Sequence, residues 1–178
     1  PLCRMGLPVA DVRRGARALE LAVFRRPYLG VGLDGIDVAV EEAAADRTHA
    51  HRAVRRLWDA DWERIRMLVR LLRTCCGSLS DLFEADTPVT LRAMAAAHMA
   101  AAEALARPSA EGATSLWDGE AGEAGAVFFS GLMDEALPTL EIRAGEYPDL
   151  YRSLLVGQNV RPRVPVHPRL HIWGPFEA

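Results

Sequence analysis

Residues 52–76 read RAVRRLWDADWERIRMLVRLLRTCC and carry the most regular apolar pattern in the chain. Apolar side chains recur there at spacings of roughly three, four or seven, the period of one helix face. The members of this stripe are Val54, Trp58, Ile65, Leu68 and Leu72. The opposite side holds Arg52, Arg56, Arg66, Arg70 and Arg73. Asp61 interrupts the apolar stripe near WDADW. The pattern therefore predicts one amphipathic helix, or two in series, ending at Gly77 as a C-cap.

Helical patterns also dominate outside this stretch. Pro27 ends the first predicted helix, and Arg107-Pro108 ends an alanine-rich helix that Asp86 or Thr87 would cap, with Pro88 in its first turn. The other predicted helices span residues 16–25, 36–45, 120–137 and 147–155. Only residues 170–173 have the alternation of a strand. The fold class predicted is mainly α, with six or seven helices and a short C-terminal strand.

Glycines are unusually frequent in the helix predicted over 120–137. A glycine inside a helix costs about 1 kcal/mol relative to alanine, so its presence needs a reason. We expect Gly122, Gly125 and Gly131 to mark the close approach of a neighbouring backbone.

Composition excludes several chemistries within these 178 residues. All 21 basic residues are arginine, so the chain has neither the lysine of a phosphate-binding loop nor a Schiff-base lysine. Three cysteines cannot form a four-cysteine zinc or iron–sulfur site. Their odd number argues against a disulfide framework and favours a reducing, cytoplasmic location. No apolar run reaches the length of a membrane span, and PLCRMG lacks the features of a signal peptide.

Candidate reactive groups are few, and each has an ordinary structural explanation. His49, His51, His98 and the Cys75-Cys76 pair are the potential metal ligands, but residues two apart on a helix do not share a face. Cys76 is formally a nucleophile, yet the expected helix C-terminus would disfavour its thiolate. Glu120 and Glu123 suit the positive end of a helix better than paired acid–base catalysis.

Charge is unevenly distributed along the chain. Residues 47–73 contain eight arginines and three acids, whereas residues 103–146 contain nine acids and two arginines. Arginines together with Trp58 and Trp62 suit the phosphates and bases of a single strand. The alternative interpretation is a solvated arginine face with both tryptophans packed inward. Because the net charge is −3, any attraction to DNA must be local.

Four stretches resemble a known family of bacterial repair proteins. They read ARALELAVFRRP (16–27), LWDGEAGEAGAVFF (116–129), YPDLYRSLLVGQNVRPR (147–163) and HPRLHIWGPFEA (167–178). They are similar to AddB, the B subunit of AddAB-type helicase–nucleases, and the last stretch is the most specific. The likeness is weak between residues 38 and 84.

The resemblance implies an internal segment of a larger subunit. Residues 1–166 would be a helical subdomain inserted into the second RecA-like domain of a superfamily 1 helicase-like core. Residues 167–178 would begin the strand that returns to that domain. The family's ATP, magnesium and iron–sulfur sites would lie outside the segment, which would hold no catalytic residue.

The implied role is double-strand break end processing in recombinational repair, together with an AddA-like partner subunit and DNA as a single strand or fork. Arg161 and Arg163 are the first candidates for DNA contact. The second group is Arg52, Arg56, Arg66 and Arg70. Two other hypotheses stay open: a protein-interaction module whose acidic half binds a basic partner, and a helical-bundle enzyme that uses a metal or a Cys-His pair.

Overall fold

The structure, a computed structural model, describes residues 3–25, 27–85, 87–109, 112–134 and 139–160. This part of the chain is mainly α, which confirms the predicted fold class. Its α-helices are α1 (Val9–Leu19), α2 (Gly32–Ala45), α3 (Arg52–Arg55), α4 (Asp59–Glu84), α5 (Leu91–Ala106), α6 (Gly119–Leu132) and α7 (Tyr147–Leu155). A π-helical turn (Glu20–Phe24) extends α1, and a 3₁₀ turn (Ala144–Glu146) precedes α7. The strand predicted over 170–173 and the boundary at 166/167 lie outside the described residues.

Helix α4 is the centre of the larger core. It packs against α1, α2 and α5, and its buried face includes Trp62, Ile65 and Leu68. Trp62 and Ile65 are fully buried, and Val23 and Val40 meet them in one cluster from the π turn and α2. Burying one such apolar side chain contributes about 1.5–3 kcal/mol, so this cluster is the main source of stability in the first half of the chain.

A second, smaller core lies around α5 and α7. Met94 is fully buried there with Ile142, Ala144 and Tyr147. Beside it, strand β1 (Val89–Thr90) pairs antiparallel with β2 (Glu141–Ile142). This two-stranded sheet was not predicted from the sequence, because two residues are too few to show alternation.

The same sheet corrects the predicted start of α5. The N-cap is Thr90, whose hydroxyl accepts a hydrogen bond from the Ala93 N–H at 3.1 Å. A cap at Thr87 with Pro88 in the first turn was therefore wrong, because Val89 and Thr90 are extended to pair with β2. Asp86 lies outside the described residues. The predicted end of this helix at Arg107 is confirmed.

Helix α4 also departs from prediction, since it continues through Gly77 to Glu84. The physical reason is packing: Leu79 and Leu82, which follow the glycine, lie against the second core. Continuing the helix partly buries both leucines and joins the two cores. The predicted C-cap at Gly77 was therefore wrong.

Of the two arrangements left open for residues 52–76, two helices in series is the one observed, since α3 ends at Arg55 and α4 begins at Asp59. Trp58 lies between the two helices, where its backbone N–H donates a hydrogen bond to the Asp61 carboxylate at 3.0 Å. Its side chain is 80% exposed. The prediction that Trp58 belongs to the buried stripe was therefore wrong.

The other helix boundaries differ modestly from prediction. Helix α1 begins at Val9, seven residues before the predicted start, and α2 begins at Gly32, four residues before its predicted start. A Cβ added at Gly122 would collide with the Trp117 backbone, as expected for close approach, whereas a Cβ added at Gly125 would lie 3.3 Å from the Trp117 ring. Gly131 faces open space, so the expectation was wrong there. Helix α7 matches its predicted span.

Candidate nucleic-acid interface

Helix α3 presents three arginines on one face. Its buried residue is Val54, which is 8% exposed and anchors the helix to the larger core. Arg52, Arg55 and Arg56 are all exposed. Their i, i+3 and i+4 spacing places them side by side on the solvent side of this turn. At the start of the helix, the His51 Nδ1 accepts the Ala53 N–H at 3.3 Å, which holds the turn in place.

The positive charge of this face is not neutralised within the described part of the chain. None of the three α3 arginines forms an ion pair with another described residue. The acids that follow α3 have other partners: Asp59 accepts from Arg47 at 2.6 Å, and Asp61 accepts from Arg64 at 2.9 Å. The α3 face therefore keeps a local positive field although the chain as a whole is negative.

An aromatic ring adjoins these arginines. Trp58 comes two residues after Arg56 and is largely exposed, whereas Trp62, one turn later, is fully buried. The Arg47 guanidinium lies 4.7 Å from the centroid of the Trp62 ring and covers it. An exposed tryptophan beside unpaired arginines can stack on a base while the guanidinium groups meet phosphates. We call Arg52, Arg55, Arg56 and Trp58 the α3 surface.

Two of the other arginines that were singled out form ion pairs with acids of α2. Arg66 makes a two-point ion pair with Glu41, at 2.8 and 3.0 Å, and a further contact with Glu63 at 3.2 Å. The hydrogen bond from Arg66 holds the pKa of Glu41 below its ordinary value. Arg73 pairs with Asp34. These pairs join α4 to α2, so Arg66 and Arg73 have a structural explanation.

The remaining predicted DNA contacts lie either outside the α3 surface or outside the described residues. Arg70 is exposed on α4 without an ion pair among the described residues. Arg161 and Arg163 lie outside the described residues. Arg55 was missed by the sequence analysis, although its spacing of three from Arg52 was the available signal.

His98 belongs to an aromatic cluster in the second half of the chain. Its Nδ1 lies 3.0 Å from the Tyr147 hydroxyl, and its ring meets Phe129 and Tyr151 edge-on at 5.3 and 5.0 Å between centroids. Burial lowers the pKa of His98 and raises the pKa of Tyr147 to about 12. The imidazole therefore joins α5, α6 and α7 as a neutral ring.

The histidines and cysteines do not converge in the part of the chain that the structure describes. His49 contacts Asp46 at 3.0 Å, and His51 caps α3. Cys75 and Cys76 lie within α4 and not at its end, and burial raises the pKa of both thiols. Among the described residues, no group of three or more His, Cys, Asp and Glu side chains could hold a metal.

The acids of the second half are partly used in local structure. The Trp117 Nε1–H donates to Glu103 at 2.7 Å, and the Glu146 carboxylate accepts the Arg143 N–H at 3.0 Å. Glu120 lies in the first turn of α6, where a carboxylate complements the helix dipole. These contacts explain three of the acids as capping or packing groups.

No family model, curated protein or solved structure matches this chain in the comparisons with known proteins. Among the described helices, none has both the length and the apolar composition that a bilayer span requires. Function must therefore be inferred from the α3 surface and from the resemblance of the quoted motifs.

Proposed function

We propose that this chain is a non-catalytic helical subdomain of an AddB-like helicase–nuclease subunit, and that it contacts DNA through the α3 surface. In this proposal it acts in double-strand break end processing and recombinational repair with an AddA-like partner. Support for the family comes from the four quoted stretches, above all HPRLHIWGPFEA at 167–178. Support for DNA contact comes from the chemistry of α3.

The single observation that carries the DNA contact is the combination of one exposed tryptophan with three arginines that have no ion pair among the described residues. Arginine contacts with phosphates release condensed counterions, which favours binding at low salt. Stacking of a base on Trp58 would add an attraction that only unpaired bases provide fully. The α3 surface therefore favours a single strand, or the single-stranded arms of a fork, over a closed duplex.

The rest of the fold is consistent with a scaffold. Helix α4 joins the two cores, and the Arg66–Glu41 pair fixes α2 against it. In this proposal the ATP, magnesium and iron–sulfur chemistry belongs to other parts of the parent subunit. The described residues form a folded support that presents the α3 arginines to DNA.

Titration of fluorescently labelled DNA at several salt concentrations tests the proposal. The chain should bind a single strand and a fork with an affinity that falls steeply as salt rises. Each phosphate contact to a single strand makes the negative slope of log K against log salt steeper by about 0.7. The triple variant Arg52→Gln, Arg55→Gln, Arg56→Gln should therefore have a slope that is shallower by about 2. Arg66→Gln is the control, because it removes an arginine whose charge is already paired with Glu41.

The outcomes separate clearly. A reduced slope in the α3 variant with an almost unchanged slope in Arg66→Gln supports DNA contact at α3. Equal slopes in the wild type and the triple variant would exclude α3 as the phosphate-binding surface. Binding whose affinity does not depend on salt would contradict the DNA-binding role. A lack of any binding to DNA at low salt would contradict it as well.

A further inference from the structure

A cavity of about 240 Å³ lies beneath α3. Ala22 and Ala43 are 1% and 2% exposed and form its floor, and Ala50 and Ala53 line its sides. Small side chains at these positions leave space between the π turn, α2 and α3. The cavity opens to solvent beside the exposed Arg25 and His51, and concave, mostly apolar sites of this kind are where small ligands bind.

The cavity is large enough for a planar ring. A cavity of roughly 150 Å³ in a protein core accommodates benzene, so the present one has room for a six-membered ring with exocyclic groups. Part of its floor comes from the π-helical turn (Glu20–Phe24) through Ala22.

The rim of the cavity carries polar donors. Arg25 and His51 line it and are exposed, unlike the alanines of the floor. The Arg25 Nε donates to Glu20 at 3.1 Å, and its two terminal nitrogens have no hydrogen bond to another described residue. Since the His51 Nδ1 accepts the Ala53 N–H, the neutral ring carries its proton on Nε2. Both side chains thus offer N–H groups to an acceptor held in the cavity.

The cavity and the phosphate-binding candidates share one helix turn. His51, Ala53 and Val54 line the cavity, while Arg52 and Arg55 alternate with them in sequence and are exposed. A nucleotide strand has the same arrangement, with its charged backbone on one side and planar bases that carry carbonyl acceptors on the other. An apolar cavity with N–H donors at its rim suits such a base, and arginine and histidine planes also stack on bases.

We propose that this cavity binds one unpaired nucleobase of the strand whose phosphates contact Arg52, Arg55 and Arg56. The proposal rests on the DNA-binding function proposed above and adds a base-binding site to it. The base enters between Arg25 and His51 and lies over the alanine floor. Duplex DNA cannot use this site without unpairing a base.

Filling the cavity tests the proposal. Ala53→Leu and Ala50→Leu each place a larger side chain in it, and Ala45→Leu is the matched control on the exposed end of α2. Affinity is measured for an oligothymidine of about ten nucleotides and for an abasic strand of equal length, within the site sizes known for single-strand binders. Circular dichroism spectra and melting curves establish that each variant is folded.

The readout is the ratio of the affinities for the two strands. In the wild type and in Ala45→Leu, the oligothymidine should bind more tightly than the abasic strand. In both cavity-filling variants that ratio should fall about tenfold, since a stacked base contributes on this scale. Binding of the abasic strand should stay unchanged, because its phosphates still meet α3.

Failure of this inference differs from failure of the proposed function. Salt-dependent binding with an unchanged ratio in both filled variants would overturn the base-binding site and leave the α3 contact standing. Absence of binding to either strand by the wild-type chain would overturn both. If one leucine variant is unfolded, the other decides. If both are unfolded, saturation transfer from wild-type methyl protons to free thymidine monophosphate decides, and its absence overturns the base-binding site.

Discussion

Replacement of Gly77 by alanine should stabilise the protein. Gly77 lies inside α4, seven residues before the end of that helix, and a Cβ added there would meet no atom within 4 Å. Alanine is more favourable than glycine in a helix interior by about 1 kcal/mol, because glycine loses more backbone freedom on folding. The free energy of unfolding should therefore rise by about 0.5–1 kcal/mol.

Gly119 provides the matched control. A Cβ at Gly119 would likewise meet nothing within 4 Å, but its φ of +73° is a left-handed conformation. Alanine there should cost about 1–2 kcal/mol, because an L-residue is strained in this region. The two substitutions add the same methyl group to open space and are expected to have opposite signs.

Urea unfolding followed by circular dichroism measures both effects. In thermal unfolding, an increase of 1 kcal/mol in the free energy of unfolding should raise the melting temperature by roughly 2–4 °C in a chain of this size. If Gly77→Ala destabilises the protein as Gly119→Ala does, then Gly77 is a left-handed C-cap. That result would restore the helix end expected from the sequence and refute the continuous α4 that joins the two cores.

Three further predictions concern tryptophan burial, titration of His98 and the ion pair between α2 and α4. Trp62→Ala should lower the free energy of unfolding in urea by about 3–5 kcal/mol, because the Trp62 side chain is fully buried. Trp58→Ala should lower it by less than about 0.5 kcal/mol. Equal losses in the two variants would contradict the assigned burial. Burial lowers the folded-state pKa of His98, so the unfolded chain takes up a proton first on acidification. The melting temperature of the wild type should therefore decrease as the pH is lowered past about 6.5. His98→Gln should show a shallower fall between about pH 7.5 and pH 5.5, and parallel profiles would exclude His98 as the cause. A double-mutant cycle of Arg66→Gln and Glu41→Gln should give a coupling of about 0.5 kcal/mol, reduced by the partial exposure of the pair, and zero coupling would show that the pair does not hold α2 to α4.

Local periodicity was sufficient for most of the helices. The buried positions Ile65 and Leu68 follow from their spacing, whereas the same spacing selected the exposed Trp58 and left out the buried Trp62. Arg107 and Tyr147 were recognised as helix boundaries because the adjacent prolines restrict the backbone. These features depend on neighbours within a few residues.

The errors came from contacts between distant segments. Gly77 resembled a helix end because no local signal shows that Leu79 and Leu82 meet residues beyond position 140. Arg66 resembled the α3 arginines in sequence, but its partner Glu41 is 25 residues away. The cavity beneath α3 was also out of reach, since its alanines come from separate elements and carry no pattern of their own.

Photocrosslinking most directly tests whether the α3 surface binds a single strand. The chain is irradiated with a single strand that contains 5-iodouracil, a base that couples to stacked aromatic rings, and is then digested with trypsin. We expect the principal crosslink at Trp58 in the peptide spanning residues 57–64, where the other ring, Trp62, is buried. Crosslinks confined to other segments, such as the aromatic rings of α6 and α7, would contradict DNA contact at α3.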